Sequence, residues 1–271
     1  MTLLSSFHAR AGTVVLALAF VGGTGCAVVG ASNNAAYQQR LRDQEAERQR
    51  RIATLEPAAA AGDPAARSAL ASALLAAPAP ARADVLRALA LLEQAVAQDD
   101  GLAQALLGNI LDYSQPEVRA ARQVPRSRQE DAERGIALLQ RAATKACTYP
   151  RPKPFSFYPR IEPALEAGRM LNVAGRADES LLWRARGILH CGSENAAVLS
   201  LYAQFARASS AERIGALALL TLTGDAAATA KASATLPAAD ATAAERLAAD
   251  LRRRVADSER DYPAPPRKEQ P

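Results

Sequence analysis

The chain has 271 residues, of which 49% are hydrophobic but only 4% aromatic, and its formal net charge is +5. Alanine and leucine supply most of the apolar content, which favours thin layers of closely packed helices over a thick sheet core. The basic balance is compatible with anionic lipid or acidic polysaccharide partners, but a solvated basic surface is the simpler interpretation.

The N-terminus carries the pattern of an export signal. Residues 11–39 are uncharged, and the apolar run 13–21 has the length of a signal-peptide core and is followed by Gly22-Gly-Thr-Gly-Cys26. This stretch resembles a bacterial lipoprotein signal, in which small residues precede a cysteine that is lipidated and becomes the mature N-terminus. The two residues before Cys26 match that pattern, whereas Gly23 stands where a leucine is usual. Residues 1–25 are therefore expected to be a signal peptide and Cys26 the site of lipidation.

Two alternatives stay open for this N-terminus. Cleavage after Ala31 would leave a soluble periplasmic protein, and an uncleaved anchor would span residues 11–29. Glycines interrupt that second segment, which is already near the minimum of ~20 residues for a membrane span. If Cys26 is lipidated, the residue after it is Ala27 and not an aspartate. In the lipoproteins that this chain resembles, a residue other than aspartate at this position implies transport to the outer membrane. The protein would then lie in the outer membrane and face the periplasm.

Residues 26–61 are predicted to form the lipid anchor and a polar tether helix. The segment 33–55 is dense in Gln, Arg and Glu, and its apolar residues recur only at sparse helical spacings. These apolar residues are Tyr37, Leu41, Ile52 and Leu55. So thin a stripe predicts an exposed helix that tethers the rest of the chain, in preference to a specific coiled coil.

Similar segments recur along the chain at intervals of tens of residues. Ala90-Leu-Leu-Glu-Gln-Ala95, Ala137-Leu-Leu-Gln-Arg-Ala142 and Ser180-Leu-Leu-Trp-Arg-Ala185 share one pattern, which is typical of stacked helical pairs. Asp63 and Pro64 predict the first helix start, as N-cap and first helical residue. The four predicted pairs are 64–77 with 83–98, 101–113 with 131–146, 163–174 with 178–190, and 195–208 with 211–222.

Two stretches within the second predicted pair resemble the Sel1-like branch of the tetratricopeptide repeat superfamily. Ala103-Gln-Ala-Leu-Leu-Gly108 is similar to that family's first-helix motif, in which a leucine–glycine pair lets neighbouring helices approach. Gly135-Ile-Ala-Leu-Leu-Gln-Arg-Ala-Ala143 is similar to its second-helix motif. The resemblance covers residues 62–223. It implies an all-α fold, a right-handed α-solenoid of about four helix pairs, whose groove binds other proteins or serves as an assembly scaffold.

Two insertions interrupt the repeats. The first, residues 114–130, carries several arginines around two prolines. We predict a solvated loop there, with phosphate or acidic-glycan contact as the alternative and no nucleic-acid partner. The second is Tyr149-Pro-Arg-Pro-Lys-Pro-Phe-Ser-Phe-Tyr-Pro159, whose prolines favour an extended backbone. It is expected either to fold back over the helices or to form a lip that contacts a partner.

Residues 224–260 are predicted to hold a linker and a capping helix. The stretch 224–240 is rich in Ala, Thr, Ser and Asp and poor in large apolar groups, which indicates a flexible link. Thr242-Ala-Ala-Glu245 has the pattern of a capping box, and an apolar face follows it. That face consists of Leu247, Leu251 and Val255. The proline-rich residues 261–271 are expected to be a disordered tail.

Residue types suited to catalysis are sparse. His190 is the one imidazole left after removal of the signal, and its place at a helix end next to Cys191 is typical of a dipole partner. Glu162 and Glu166 lie one helical turn apart near Arg169, a spacing that suits acid–base chemistry or, more simply, a solvent-facing charge cluster. We therefore expect no enzyme, no cofactor, no metal and no small-molecule substrate.

These patterns predict a non-enzymatic envelope lipoprotein that acts as a protein–protein interaction scaffold. Its partners would be other envelope proteins, and the N-terminal lipid would hold it to the membrane. The alternative is an accessory protein, or a weakly recognisable hydrolase, that acts on an envelope polysaccharide. In arrays of this kind the first helix of each pair lines the groove. The candidate partner-binding residues are therefore Asn109, Asp112, Arg169, Tyr202 and Gln204.

Three cysteines are an odd number for an exported protein, but lipidation of Cys26 would leave an even pair. Cys147 and Cys191 are predicted to end the second helices of adjacent pairs, so their positions correspond. An oxidising periplasm would permit a disulfide between them. The alternative is that both thiols are buried in the seam between the two pairs.

Overall fold

A computed structural model describes residues 35–77, 79–111, 128–151, 160–193, 196–204 and 208–266. These residues form eleven α-helices and one short antiparallel strand pair, so the predicted all-α class holds. The helices are α1 (residues 35–60), α2 (Pro64–Leu75), α3 (Arg82–Ala97), α4 (Gly101–Leu111), α5 (Arg128–Ala143), α6 (Pro163–Val173), α7 (Ala177–Cys191), α8 (Ala196–Gln204), α9 (Ser210–Leu222), α10 (Ala226–Ser233) and α11 (Ala238–Asp257). A 3₁₀ turn, Ser258–Arg260, follows α11.

The chain divides into two compact units, residues 1–51 and 52–271, and the boundary falls within α1. In the first unit, most of the described residues 35–51 are exposed. Arg48 donates to the carboxylate of Glu45 at 2.8 Å through Nε and at 2.7 Å through Nη2. These hydrogen bonds are the main reason that the pKa of Glu45 falls to about 2.

The last turns of α1 belong to the second unit. Ile52 and Leu55 pack against the hydrophobic core of that unit, and Ala59 is buried there. Their spacing places the three residues on one apolar stripe of the helix. Sequence analysis assigned these turns to an exposed tether that ended at residue 61. The structure corrects that assignment, because even a thin apolar stripe is enough to dock two turns of helix.

The consecutive helices of each predicted pair pack against each other: α2 with α3, α4 with α5, α6 with α7, and α8 with α9. Successive pairs are joined by contacts of α2 and α3 with α4, and of α5 with α6. The helix ends differ from the predicted ends by a few residues. At α5 the difference matters, because the helix ends at Ala143 and Cys147 therefore lies beyond it instead of ending it.

Local sequence signals set several helix starts. The side chain of Asp63 accepts hydrogen bonds from the backbone N of Ala65 at 2.8 Å and of Ala66 at 3.0 Å, and Pro64 is the first helical residue, as predicted. Ser209 and Glu212 form a capping box at the start of α9, which sequence analysis did not identify. Such caps satisfy backbone N–H groups that the helix itself leaves unpaired.

Two hydrophobic clusters form the interior of the second unit. The first extends from the end of α1 through α6 and includes Trp183 of α7. The second is built by α8 to α11 and includes Ala185 and Ile188 of α7. α7 therefore contributes to both clusters, and its contacts with later elements run mainly to α9 and α11. Up to α6, each helix pair packs on the next pair along the chain. From α7 onwards the main contacts run to α9 and α11.

The C-terminal region is more ordered than its composition predicts. The predicted flexible link 224–240 contains α10, whose start is capped by Asp225 through a 2.9 Å hydrogen bond from the backbone N of Ala228. Helix α11 already begins at Ala238, so Thr242 lies inside the helix. Its hydroxyl donates to the carbonyl of Ala238, and the predicted capping box at Thr242 and Glu245 is therefore not formed. The predicted face of α11 is present: Leu251 and Val255 are buried.

A short strand pair brackets the second insertion. β1 (Tyr149–Pro150) pairs antiparallel with β2 (Arg160–Ile161), with Tyr149 opposite Ile161. Both strands contact α4, and Ile161 is fully buried. Residues 152–159, which sequence analysis interpreted as a cover or a lip, lie outside the described residues, and so do residues 114–127 of the first insertion.

Candidate functional site

The predicted partner-binding residues lie on the first helices of three pairs. Asn109 is half-buried on α4, Arg169 is exposed on α6, and Gln204 is half-buried on α8. Asp112 lies outside the described residues, as does the side chain of Tyr202. The structure places Asn109 and Arg169 on helices of the first hydrophobic cluster and Gln204 on a helix of the second. The predicted partner-binding residues are therefore divided between helices of the two hydrophobic clusters.

Gln204 makes its contacts within its own helix. Its Nε2 donates to the carbonyl O of Ser200 at 3.0 Å and to the hydroxyl of the same residue at 2.8 Å. Ser200 is itself 9% exposed. The amide of Gln204 is thus engaged locally, which makes it a weaker candidate for partner contact than Arg169.

Arg169 belongs to a small charge cluster at the start of α6. Its Nε donates to Glu166 Oε2 at 3.0 Å, and Nη2 of Arg151 donates to Glu166 Oε1 at 2.5 Å. The side chains of Arg151 and Glu166 are only 11% and 17% exposed, whereas that of Arg169 is 47% exposed. The predicted charge cluster is therefore partly buried. It ties the residue after β1 to α6 and leaves Arg169 at the surface.

A polar junction that sequence analysis did not identify lies at Asp99, between α3 and α4. The carboxylate of Asp99 contacts Gln104 Nε2 at 2.7 Å, Arg141 Nη2 at 2.6 Å and Lys145 Nζ at 2.5 Å. The bond from Lys145 is the main reason that the pKa of Asp99 falls to about 2, and Arg141 and Gln104 lower it further. Asp99 also has a φ of 62°, which is uncommon outside glycine.

The next residue, Asp100, connects further elements to this junction. Its Oδ1 accepts from the backbone N of Ala103 at 2.7 Å, which caps α4, and from Ser68 Oγ of α2 at 2.5 Å. Tyr149 Oη donates to the carbonyl of Ala142 at 3.2 Å. Burial, and to a smaller extent the nearby Asp100, raises the pKa of Tyr149 to about 12. Asp99 and Asp100 therefore link α2, α4 and α5, and Tyr149 separately ties the start of β1 to the end of α5.

The structure joins Cys147 and Cys191 by a disulfide whose Cα atoms are 5.4 Å apart. Both residues are half-buried. The bond ties the segment after α5 to the last residue of α7, although one of the two cysteines lies outside a helix. The sequence predicted the same pair, with buried thiols as the alternative.

Residues 258–262, which follow α11, cover one side of α7. The ring of Tyr262 meets that of Trp183 edge to face, with centroids 4.9 Å apart and an interplanar angle of 80°. Arg186 donates to the carbonyl O of Tyr262 and, at 3.3 Å, to Ser258 Oγ. We expected a disordered tail from residue 261 onwards. The packing of Tyr262 corrects that expectation for the described residues 261–266.

Within the described ranges, no group of three or more His, Cys, Asp or Glu side chains is arranged so that it could hold a metal ion. Of the helices that the structure describes, none has the length and apolar character needed to cross a membrane. Comparison with protein-family models, curated proteins and solved structures finds no match for this chain.

Proposed function

We propose that the chain is a non-enzymatic envelope lipoprotein whose helical body binds other proteins. The observation that carries the proposal is the contact between Gly108 and Gly135, because these glycines belong to the two motifs that resemble Sel1-like repeats. Residues 62–223 would form a right-handed α-solenoid of about four helix pairs, with a groove lined by the first helices. The packing of α2 on α3, α4 on α5 and α6 on α7 supports the first three pairs.

Arg169 is the proposed centre of the partner-binding surface. It lies on the first helix of the third pair and is the most exposed of the described candidates. Its Nε donates to Glu166, which orients the guanidinium, and the side chain of Arg169 is 47% exposed, so its charge is accessible to a partner's carboxylate. Asn109 on α4 would add an amide to the same first-helix surface.

Cys26 is the proposed lipid anchor. Cys147 and Cys191 bond to each other, which leaves Cys26 as the one remaining cysteine of the chain. Stable membrane anchoring requires two or more acyl chains, and a lipidated N-terminal cysteine carries that number. Residues 1–25 would be removed, and the protein would face the periplasm from the outer membrane.

The anchor is tested by Cys26→Ser in the full chain. The variant is expected to move from the membrane fraction to the soluble fraction and to lose the mass of the acyl groups. The matched control replaces Cys147 and Cys191 by serine together, which leaves Cys26 in place and should leave the protein in the membrane fraction. Unchanged membrane association of Cys26→Ser would contradict lipidation, and a mature N-terminus directly after Ala31 would favour a soluble periplasmic protein.

The binding function is tested by crosslinking in intact cells, followed by capture of the tagged chain from solubilised envelopes and mass spectrometry. A defined envelope protein is expected in near-stoichiometric yield. Two results would contradict the proposal: recovery of no protein above the level of an untagged control, or release of sugar fragments from envelope polysaccharide by the purified chain.

A further inference from the structure

One surface of α7 is covered by an irregular segment of the same chain. Trp183 and Arg186 lie three residues apart, on one side of the helix, and are only 5% and 3% exposed. Residues 258–262, which follow α11, contribute the ring and carbonyl of Tyr262 and the hydroxyl of Ser258. Nearby, His190 Nε2 lies 3.5 Å from a carboxylate oxygen of Glu259.

The surface under this segment is mixed, because Trp183 belongs to the first hydrophobic cluster, against which Tyr262 also packs, whereas Arg186 is charged. Arg186 is a buried charge whose hydrogen-bond acceptors are a hydroxyl and a carbonyl, and it lies 5.6 Å from the ring centre of Trp183. Burial lowers its pKa, and its Nε has no hydrogen-bond partner within the described structure. Covering a guanidinium in this way costs desolvation free energy, which is recovered when water returns to it. The covered and uncovered states are therefore closer in free energy than they would be if an apolar side chain stood in place of Arg186.

The covering segment has the properties of a peptide ligand. Its sequence is Ser-Glu-Arg-Asp-Tyr-Pro-Ala-Pro-Pro over residues 258–266. Prolines restrict the unbound backbone to extended conformations, so less conformational entropy is lost when such a segment binds. Aromatic surfaces are a common docking site for proline-rich segments. Here the ring of Trp183 contacts the ring of Tyr262, and the guanidinium of Arg186 donates to the carbonyl of the same residue.

We propose that this side of α7 is a docking site for a tyrosine–proline segment of a partner protein, and that residues 258–265, which begin with the 3₁₀ turn Ser258–Arg260, occupy it in the free chain. The site uses Trp183 and Arg186 as its anchors and the Tyr-Pro unit as its ligand. It shares no residue with the first-helix surface proposed above, so each of the two can fail without the other.

Trp183 is the only tryptophan of the chain, and its fluorescence therefore reports directly on this site. In a chain truncated after Asp257, acrylamide quenching of Trp183 is expected to rise at least twofold. A peptide with the sequence of residues 258–266 should restore the protection. The fluorescently labelled peptide should bind the truncated chain at least tenfold more tightly than the full chain, because the tethered segment competes at an effective concentration of about a millimolar.

Two controls define specificity. The peptide in which the residue equivalent to Tyr262 is alanine should bind at least tenfold more weakly. Tyr37→Ala changes an exposed tyrosine of the other unit and should alter neither the quenching nor the peptide affinity. A truncated chain that keeps its helical circular dichroism but binds no peptide would overturn the proposal.

If the truncated chain does not fold, the full-length variant Tyr262→Ala tests the docking site instead. This variant keeps every backbone group of the segment and removes only the ring that contacts Trp183. It is expected to stay helical and to bind the labelled wild-type peptide at least tenfold more tightly than the unaltered chain does. Failure of this variant to bind the peptide, or loss of its helical signal, would show that the segment is part of the core and would overturn the proposal.

Discussion

Gly108 and Gly135 face each other across the contact between α4 and α5. A Cβ built on Gly108 would lie 2.9 Å from the carbonyl O of Gly135, and one built on Gly135 would lie 3.0 Å from the carbonyl O of Gly108. Leu139 and Met170 fill the surrounding space, with Leu139 Cγ 2.8 Å from the first Cβ position. The two backbones therefore approach at a distance that leaves no room for a side chain.

Gly108→Ala is predicted to destabilise the protein by about 1–3 kcal/mol, because the added methyl group meets backbone and not only a flexible side chain. The measurement is the free energy of unfolding in denaturant. Gly215→Ala is the matched control, since its Cβ would meet only the end of the Leu181 side chain at 3.3 Å. That control should stay within about 1 kcal/mol of the unaltered chain. Equal stability of the two variants would show that the close approach is not required.

Replacement of Cys147 and Cys191 by alanine is predicted to lower stability. The bond closes a loop with a sequence separation of 44 residues. The chain-entropy model gives a contribution of roughly 4 kcal/mol for a loop of this size, with less expected in practice. Intact-mass measurement after alkylation, with and without reductant, should find no free thiol at these positions before reduction and two afterwards. Two free thiols before reduction would contradict the disulfide.

Asp99→Asn is predicted to lower stability in a pH-dependent way. Asparagine tolerates a positive φ as aspartate does, so the substitution removes the charge and keeps the turn. The pKa of Asp99 falls from 3.8 to about 2 in the folded chain, so its stabilisation is present above about pH 4 and is lost as the pH falls towards 2. Its side chain is 60% exposed, and screening limits the effect to below about 1 kcal/mol. An equal difference between variant and parent at neutral pH and at pH 2 would contradict this account.

Local signals in the sequence predict much of the helical framework. Asp63 with Pro64 predicts the start of α2, and the spacing of Leu251 and Val255 predicts the buried face of α11. Each signal acts within a few residues, through an unpaired backbone N–H or through the periodicity of the helix. For that reason such features can be read without knowledge of the tertiary contacts.

The rest of the framework depends on contacts between distant residues. Composition predicted a flexible link at α10, yet Ala232 is fully buried there, because small residues suffice to fill a thin helical layer. Tyr262 lies in residues 261–271, for which the sequence predicted a disordered tail, and the positions of Trp183 and Arg186 give its ring and its carbonyl partners. At the polar junction, Asp99 contacts Arg141 and Lys145, which lie far along the chain. None of these outcomes has a local sequence signal.

The central claim, that the first-helix surface binds a partner protein, is tested most directly by Arg169→Glu. Capture of the crosslinked partner from envelopes should fall at least tenfold, because the substitution reverses the exposed charge that faces the partner, whereas loss of the Arg169–Glu166 hydrogen bond should cost little stability. The thermal midpoint should change by no more than a few degrees. Arg246→Glu reverses the charge of an exposed arginine on α11 and should leave capture unchanged. Undiminished capture by Arg169→Glu, or an equal loss of capture and of thermal stability, would contradict the claim.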